Sequence, residues 1–276
     1  MKVLWFNGNF GNQIFYCAYK DYLIEKYPNE KVYAYIDGKC PPVKVEERSN
    51  LHMPICSVWV SIISFFVFKV IGVIFRRIPL KYVPQWYCDR GALNDKATFI
   101  GHYMQEKFFY ESRDSRWLSI DSKSMYSTEY LKYECMIGGS ESICIHIRRG
   151  DYVNPGSLYV DLSSTDYYDK AIQLAKEKYP NGKLFFFSDD LDYVKERFKN
   201  EKAYYVDCNR GNSGYLDMKL MSLAKVNIMA NSTFSYWGAY MGHENKLVIF
   251  PKKWFVESSG RPAPDIMLNR ENWIGI

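Results

Sequence analysis

The second half of the chain alternates short apolar runs with segments of helical period. The runs fall at 143–147 (ICIHI), 184–187 (LFFF), 203–206 (AYYV), 226–230 (VNIMA) and 247–250 (LVIF). Between them the spacing predicts helices over 165–179, 191–198, 215–224 and 234–241. Ser163 and Ser164 stand before the first helix as capping candidates, and Pro180-Asn181-Gly182 stops it. Short apolar strands alternating with helices predict a parallel sheet covered on both faces, a Rossmann-like domain.

The first half opens the same way. KVLWF reads as a strand, GNFGN as a tight turn, 13–27 as a helix and KVYAYI as the next strand. The stretch 120–141 is polar and rich in turn residues. These patterns predict an α/β chain of two domains, 1–135 and 136–276, with the tail left open to return to the first. The segment 55–75 (ICSVWVSIISFFVFKVIGVIF) stands apart, with Lys69 as its one charge and Arg76 and Arg77 just beyond it. Its small and polar residues recur at helical spacing, and its length alone would allow a membrane span. A span would separate Gly8–Gln13 from the Rossmann-like half, so the readings are a helix on a membrane surface, basic residues at the headgroups, a helix against a partner, or a helix packed within the protein.

Three polar clusters directly follow three apolar runs. ICIHI leads into Arg148-Arg149-Gly150-Asp151, LFFF into Ser188-Asp189-Asp190, and VNIMA into Asn231-Ser232-Thr233-Phe234-Ser235. Carboxyl ends of neighbouring parallel strands share one crevice, where ligands bind. Taken singly, each cluster also fits a solvated strand end, a structural ion pair or a helix cap, and residues 149–151 spell an adhesion-type RGD. Together they point to a cleft for a nucleoside diphosphate. The paired arginines present planar donors to phosphate. The 231–235 turn offers hydroxyls and a helix N-terminus, and Asp189 and Asp190 offer acceptors for a base or ribose.

Other nucleotide signatures are absent: Gly8–Gln13 is not G-x-G-x-x-G, and no P-loop pattern occurs. Asp190-Leu191-Asp192 has the form of a D-x-D metal site, but Asp192 falls in a predicted first helical turn, so no metal is expected. Without one, charge on a departing diphosphate must be met by side chains and helix ends.

Composition narrows the classes. Aromatic residues make up 17%, including 24 tyrosines, which suits sugar and nucleotide clefts as well as core packing. The net charge of +5 is spread without a basic block, so nucleic acid is not expected as a partner. The seven cysteines have no C-x-x-C pair and are odd in number, as expected of reduced thiols. The N-terminus turns polar too soon for a signal peptide, which gives a cytoplasmic location as the expectation.

GNFGNQIFYCAY, HIRRGDYV, FFSDDLDYV, DMKLMSLAKVNIMANSTFSYWGAYM and VIFPKKWF together resemble bacterial α-1,2-fucosyltransferases. The chain differs from that pattern at Asn9, where glycine is more frequent, and Tyr236, where tryptophan is usual. The resemblance implies a GT-B arrangement of two facing Rossmann-like domains, the first on the acceptor side. It also implies GDP-fucose as donor, no metal, and inverting transfer to an oligosaccharide or lipid-linked glycan in surface polysaccharide assembly. On that basis Arg148 and Arg149 would hold the diphosphate. Ser232, Thr233 and Ser235, with Asn231 and Phe234 in the same motif, would complete its pocket. His146 and Asp189 or Asp190 would help recognise guanine or ribose. Asn12, beside the matching Gly11, would approach the sugar. Asp151 is either the acceptor's general base or a loop cap positioning the arginines. A non-catalytic nucleotide- or glycan-binding module, or a transferase using another nucleotide sugar, remains the alternative. Association with the inner membrane face through 55–75 is a further expectation.

Overall fold

The computed structural model describes residues 1–6, 9–36, 58–66, 99–100, 126–210, 213–242, 245–260 and 271–276 of the 276. Gly8, the flanks of the apolar segment at 55–57 and 67–75, and 120–125 of the turn-rich stretch lie outside these residues. The chain divides into two compact units between Asp121 and Ser122. The expected boundary at 135/136 falls within a helix.

In the first unit, β1 (Lys2–Phe6) is flanked by β2 (Val32–Ile36) and β3 (Phe99–Ile100), all parallel. α1 (Phe10–Lys26) connects β1 to β2. It starts three residues before the expected position, so Phe10, Gly11 and Asn12 form its first turn. The reason is local: Asn9 adopts the extended N-cap conformation, and its carbonyl accepts the N–H groups of Asn12 (3.0 Å) and Gln13 (3.2 Å). A short helix, α2 (Val58–Phe65), is the described part of the apolar segment.

The second unit begins with α3 (Thr128–Gly138), capped by the Ser127 hydroxyl accepting from the Tyr130 N–H. Next come β4 (Ser142–Ile147), α4 (Tyr167–Lys178), β5 (Lys183–Ser188), α5 (Leu191–Arg197) and β6 (Ala203–Val206). The chain continues through α6 (Leu216–Ser222), β7 (Val226–Ile228), α7 (Thr233–Tyr240), β8 (Leu247–Phe250) and β9 (Trp273–Gly275). The six strands form one parallel sheet in the order β6-β5-β4-β7-β8-β9. Chain order reverses between β4 and β7, the place where an open α/β sheet leaves a crevice.

The core explains the continuous apolar runs. Ile143, Ile145 and Ile147 pack on one face against Tyr168, Ala171, Ile172, Val194 and Phe198, which α4 and α5 supply or adjoin. On the other face, Asn227 of β7 donates to the Met221 carbonyl of α6 at 3.0 Å. There the buried Lys246 ammonium donates to Asn227 Oδ1 (2.7 Å) and the Ser222 carbonyl (3.2 Å), tying β7 and β8 to α6. Gly238 lets α7 lie close to α6, since a Cβ there would come within 2.8 Å of Met221. The helix N-terminus carrying Ser232 is thus held from below.

Burial pushes the Lys246 ammonium down to about 7 from its ordinary 10.5, with Cys144 opposing the shift. The unfolded chain therefore holds a proton that the folded chain releases between those values. Stability should rise with pH from about 7 toward 10, by up to about 1.4 kcal/mol per pH unit. Urea melts across that range should show a shallower rise for Lys246→Met.

Candidate functional site

Strand register brings the three polar clusters to one edge. His146 pairs with Phe187 and Ile147 with Ser188, while Ile145 pairs with Ile228. The chain therefore leaves β4, β5 and β7 within a few residues of one level. Arg148 and Arg149 emerge beside Asp189 and Asp190, and Tyr152 reaches across to donate its hydroxyl to the Asn231 carbonyl at 3.0 Å.

Asp189 is the tie between two of these loops. One carboxylate oxygen accepts the Arg149 backbone N–H at 2.9 Å, and the other accepts Arg148 Nη1 at 2.7 Å. Gly150 makes room for it, because a Cβ there would come within 2.6 Å of Asp189 Oδ2. Arg148 Nη2 donates to Asp151 at 2.7 Å, and its guanidinium lies 5.6 Å from the centre of the Tyr152 ring. Burial opposes the Arg148 charge, but Asp189 and Asp151 outweigh it and hold the group above its usual range.

Arg149 is held differently. Its Nε donates to Asp190 Oδ2 at 3.0 Å and its Nη1 to the Ser163 hydroxyl at 2.6 Å. Its guanidinium carbon sits 3.4 Å from the centre of the Tyr193 ring. Each holder is itself fixed. The Ser163 hydroxyl donates to Asp161 at 2.5 Å, and Tyr193 donates its hydroxyl to the Ser163 carbonyl at 3.0 Å. Asp190 Oδ1 caps α5 through the Tyr193 N–H at 3.2 Å. With Nε, one Nη1 proton and a ring face engaged, Nη2 remains to meet a ligand.

On the far side of β4, the buried His146 hydrogen-bonds through Nδ1 to the Ser235 hydroxyl and lies tilted on Phe234, centroids 5.4 Å apart. Ser235 Oγ also accepts the Ala230 N–H at 3.0 Å, which holds the hydroxyl beside the ring. Burial lowers the His146 pKa to about 4, with Arg148 adding and Asp189 opposing. The neutral ring thus contributes stability above about pH 6.5 that is lost as pH falls through about 4. Ser232 caps α7, accepting the Phe234 N–H at 3.3 Å. Thr233 and Phe234 are half-buried in its first turn.

The second unit therefore brings together Arg148, Arg149, Asp151, His146, Asp189, Asp190 and residues 231–235. Gly11 and Asn12 sit in the first turn of α1 in the other unit. Asn231 is buried, and its amide donates to the carbonyls of Val160 and Trp254, both at 2.9 Å, so its side chain staples loops together. Asp192 is fully exposed in the first turn of α5, with Lys195 3.9 Å away. Among the described residues no group of three or more His, Cys, Asp and Glu side chains gathers into a metal site. Sequence reasoning missed Ser163 and Tyr193. Ser163 was expected to cap α4, but that helix starts at Tyr167 with Asp166 at its N-cap position. The signal available for Tyr193 was its place one helical turn after the capping Asp190.

The family model described as "Glycosyl transferase family 11" matches residues 83–276. Over 195 residues, 67% of this chain and 64% of the other, the sequence is 33% identical to an alpha-1,2-colitosyltransferase of Escherichia coli. Over 152 residues, 53% of this chain and 48% of the other, it is 38% identical to the E. coli O-antigen biosynthesis glycosyltransferase WbnK. The chain thus spans less than two thirds of the length of either relative. Among solved structures, Arabidopsis thaliana FUT1, an arginine-to-lysine mutant in complex with GDP, matches at TM-score 0.50 and 14% identity. That match covers 87% of this chain and 68% of the other, and it shows a shared α/β fold.

Gly150→Ala should push the Asp189 carboxylate off Arg148 and cost about 0.5–1.5 kcal/mol, the net worth of one hydrogen bond, because the flexible side chain can swing aside. A denaturant melt against wild type measures it, and an unchanged midpoint would show that the tie is dispensable.

Proposed function

We propose that this chain, which belongs to glycosyl transferase family 11, transfers fucose from GDP-fucose to a galactoside hydroxyl in α-1,2 linkage, with inversion and without a metal ion. What carries the reading is the pair of adjacent guanidiniums at the β4 tip. One is fixed through Nε, one Nη1 proton and a ring face, leaving Nη2 for the ligand, and the other is held by carboxylates that a diphosphate can replace. The GDP complex of the fold neighbour supports a guanosine diphosphate leaving group. A galactoside alpha-(1,2)-fucosyltransferase 2 of Rattus norvegicus, 26% identical over 106 residues (37% of this chain, 30% of the other), supports fucose as the sugar.

The steps follow from the contacts. Arg149 offers Nη2 from a rigid seat. Arg148 exchanges Asp151, whose side chain is 61% exposed, for phosphate oxygens, since a ligand bearing more charge competes well for a solvent-facing pair. The first turn of α7 presents N–H groups and its dipole to the same anion. His146, neutral at pH 7 and bonded to Ser235 through Nδ1, suits base or ribose recognition through Nε2. The acceptor hydroxyl attacks the anomeric carbon of β-linked fucose as GDP departs, and both arginines meet the charge developing on the leaving oxygen. Asp151 is an ion-pair partner of Arg148. Release from that pair on donor binding would free it to accept the acceptor's proton.

A second donor, nucleotide-linked colitose, is favoured by the 33%-identical relative named for that sugar. A screen comparing the two sugars on a galactoside acceptor, with and without EDTA, separates them. GDP release from GDP-fucose that survives EDTA is the expected result. Loss on chelation would overturn the metal-free mechanism, and preference for another nucleotide sugar would overturn the fucose assignment.

Arg149→Lys loses the fork that spans Asp190, Ser163 and phosphate at once, and turnover should fall about 100- to 1000-fold. Tyr193→Leu should lower turnover more than Tyr193→Phe, which keeps the ring under the guanidinium. Near-normal turnover in Arg149→Lys would remove this arginine from the mechanism.

A further inference from the structure

The described part of the apolar segment reverses the usual pattern of a surface helix. Trp59, Ile62, Ile63 and Phe66 are 77%, 55%, 54% and 56% exposed, while Ser64 is fully buried. Their spacing of i, i+3, i+4 and i+7 puts the four on one stripe about 100° wide, with Ser64 roughly opposite. Phe65, 53% exposed, widens the apolar face further. A small polar residue faces in and large apolar ones face out. Single exposed apolar residues are ordinary, but a contiguous stripe marks a binding surface.

The charge of the neighbouring sequence selects the partner. Between Arg48 and Asp89 the chain has no Asp or Glu, whereas Lys69, Arg76, Arg77 and Lys81 all fall there. An apolar stripe led by tryptophan, within a cationic stretch of chain, complements an anionic lipid surface, where aromatic and aliphatic side chains enter the acyl boundary and basic ones meet headgroups. No helix among the described residues is long and apolar enough to cross a membrane. We propose that α2, with the adjoining Phe66, is a peripheral membrane anchor that lies in the interface of an anionic bilayer with Trp59, Ile62, Ile63 and Phe66 inserted. This surface is independent of the choice of donor sugar.

Flotation of the full chain with vesicles tests it, without nucleotide or acceptor. Binding to phosphatidylcholine vesicles containing about a third phosphatidylglycerol should exceed binding to pure phosphatidylcholine, and high salt should weaken it. Trp59→Ser combined with Phe66→Ser should lower the partition coefficient at least about tenfold, at an unchanged melting temperature. If that variant melts early, Arg76→Ser and Arg77→Ser give the second reading, each expected to weaken anionic binding about fivefold. No binding by wild type, equal binding to both vesicle types, or binding untouched by the variants would overturn the anchor. So would concentration-dependent dimerisation that Trp59→Ser abolishes while vesicles stay unbound, since a second copy would then be the occupant.

Discussion

One carboxylate holds the site in register. Asp189 accepts from the backbone of Arg149 and the side chain of Arg148 at once, and so fixes the loop after β5 to the loop after β4. Both bonds are charge-assisted or directed at a carboxylate, the stronger class of hydrogen bond. They act where the sheet ends and backbone pairing can no longer align the chains. Gly150 is the steric condition for this tie, and Tyr152, reaching the Asn231 carbonyl, extends the same alignment to the loop after β7.

Around that tie the two arginines divide the work. Arg149 is seated on Tyr193 and bracketed by Asp190 and Ser163, so little conformational freedom remains to be lost when an anion arrives. Arg148 is balanced by two carboxylates, one of them largely in solvent. These pairings keep two positive charges close together without leaving either unpaired, which a half-buried position would penalise. The RGD at 149–151 is explained by these pairings: its arginine is clamped, its glycine avoids a clash, and its aspartate balances the neighbouring charge. An exposed adhesion loop would need all three turned outward.

Support for the site comes from both faces of the sheet. α4 and α5 cover the isoleucines of β4 and deliver Tyr193. α6 and α7, drawn together at Gly238 and Lys246, deliver Ser232 and Ser235. The first unit repeats the parallel α/β plan on a smaller scale, with Gly11 and Asn12 at the start of its helix.

The apolar runs and helical periods located nearly every element of the second unit, because a strand buried on both faces must be apolar at each position and that demand is written locally. The three strand-end clusters were legible for the same reason, as were the family motifs. α3 and β9 were not: α3 lies in a stretch that reads as polar and turn-rich, and the three residues of β9 carry too little periodicity to separate a strand from a turn. Nor could the partners of the charges be read. Asp189 and Asp190 looked like ligand acceptors, and Ser163 like a helix cap, because a sequence shows which groups a residue offers but not which group forty positions away stands opposite. Strand register and loop packing decide that pairing, and they exist only once the sheet has formed.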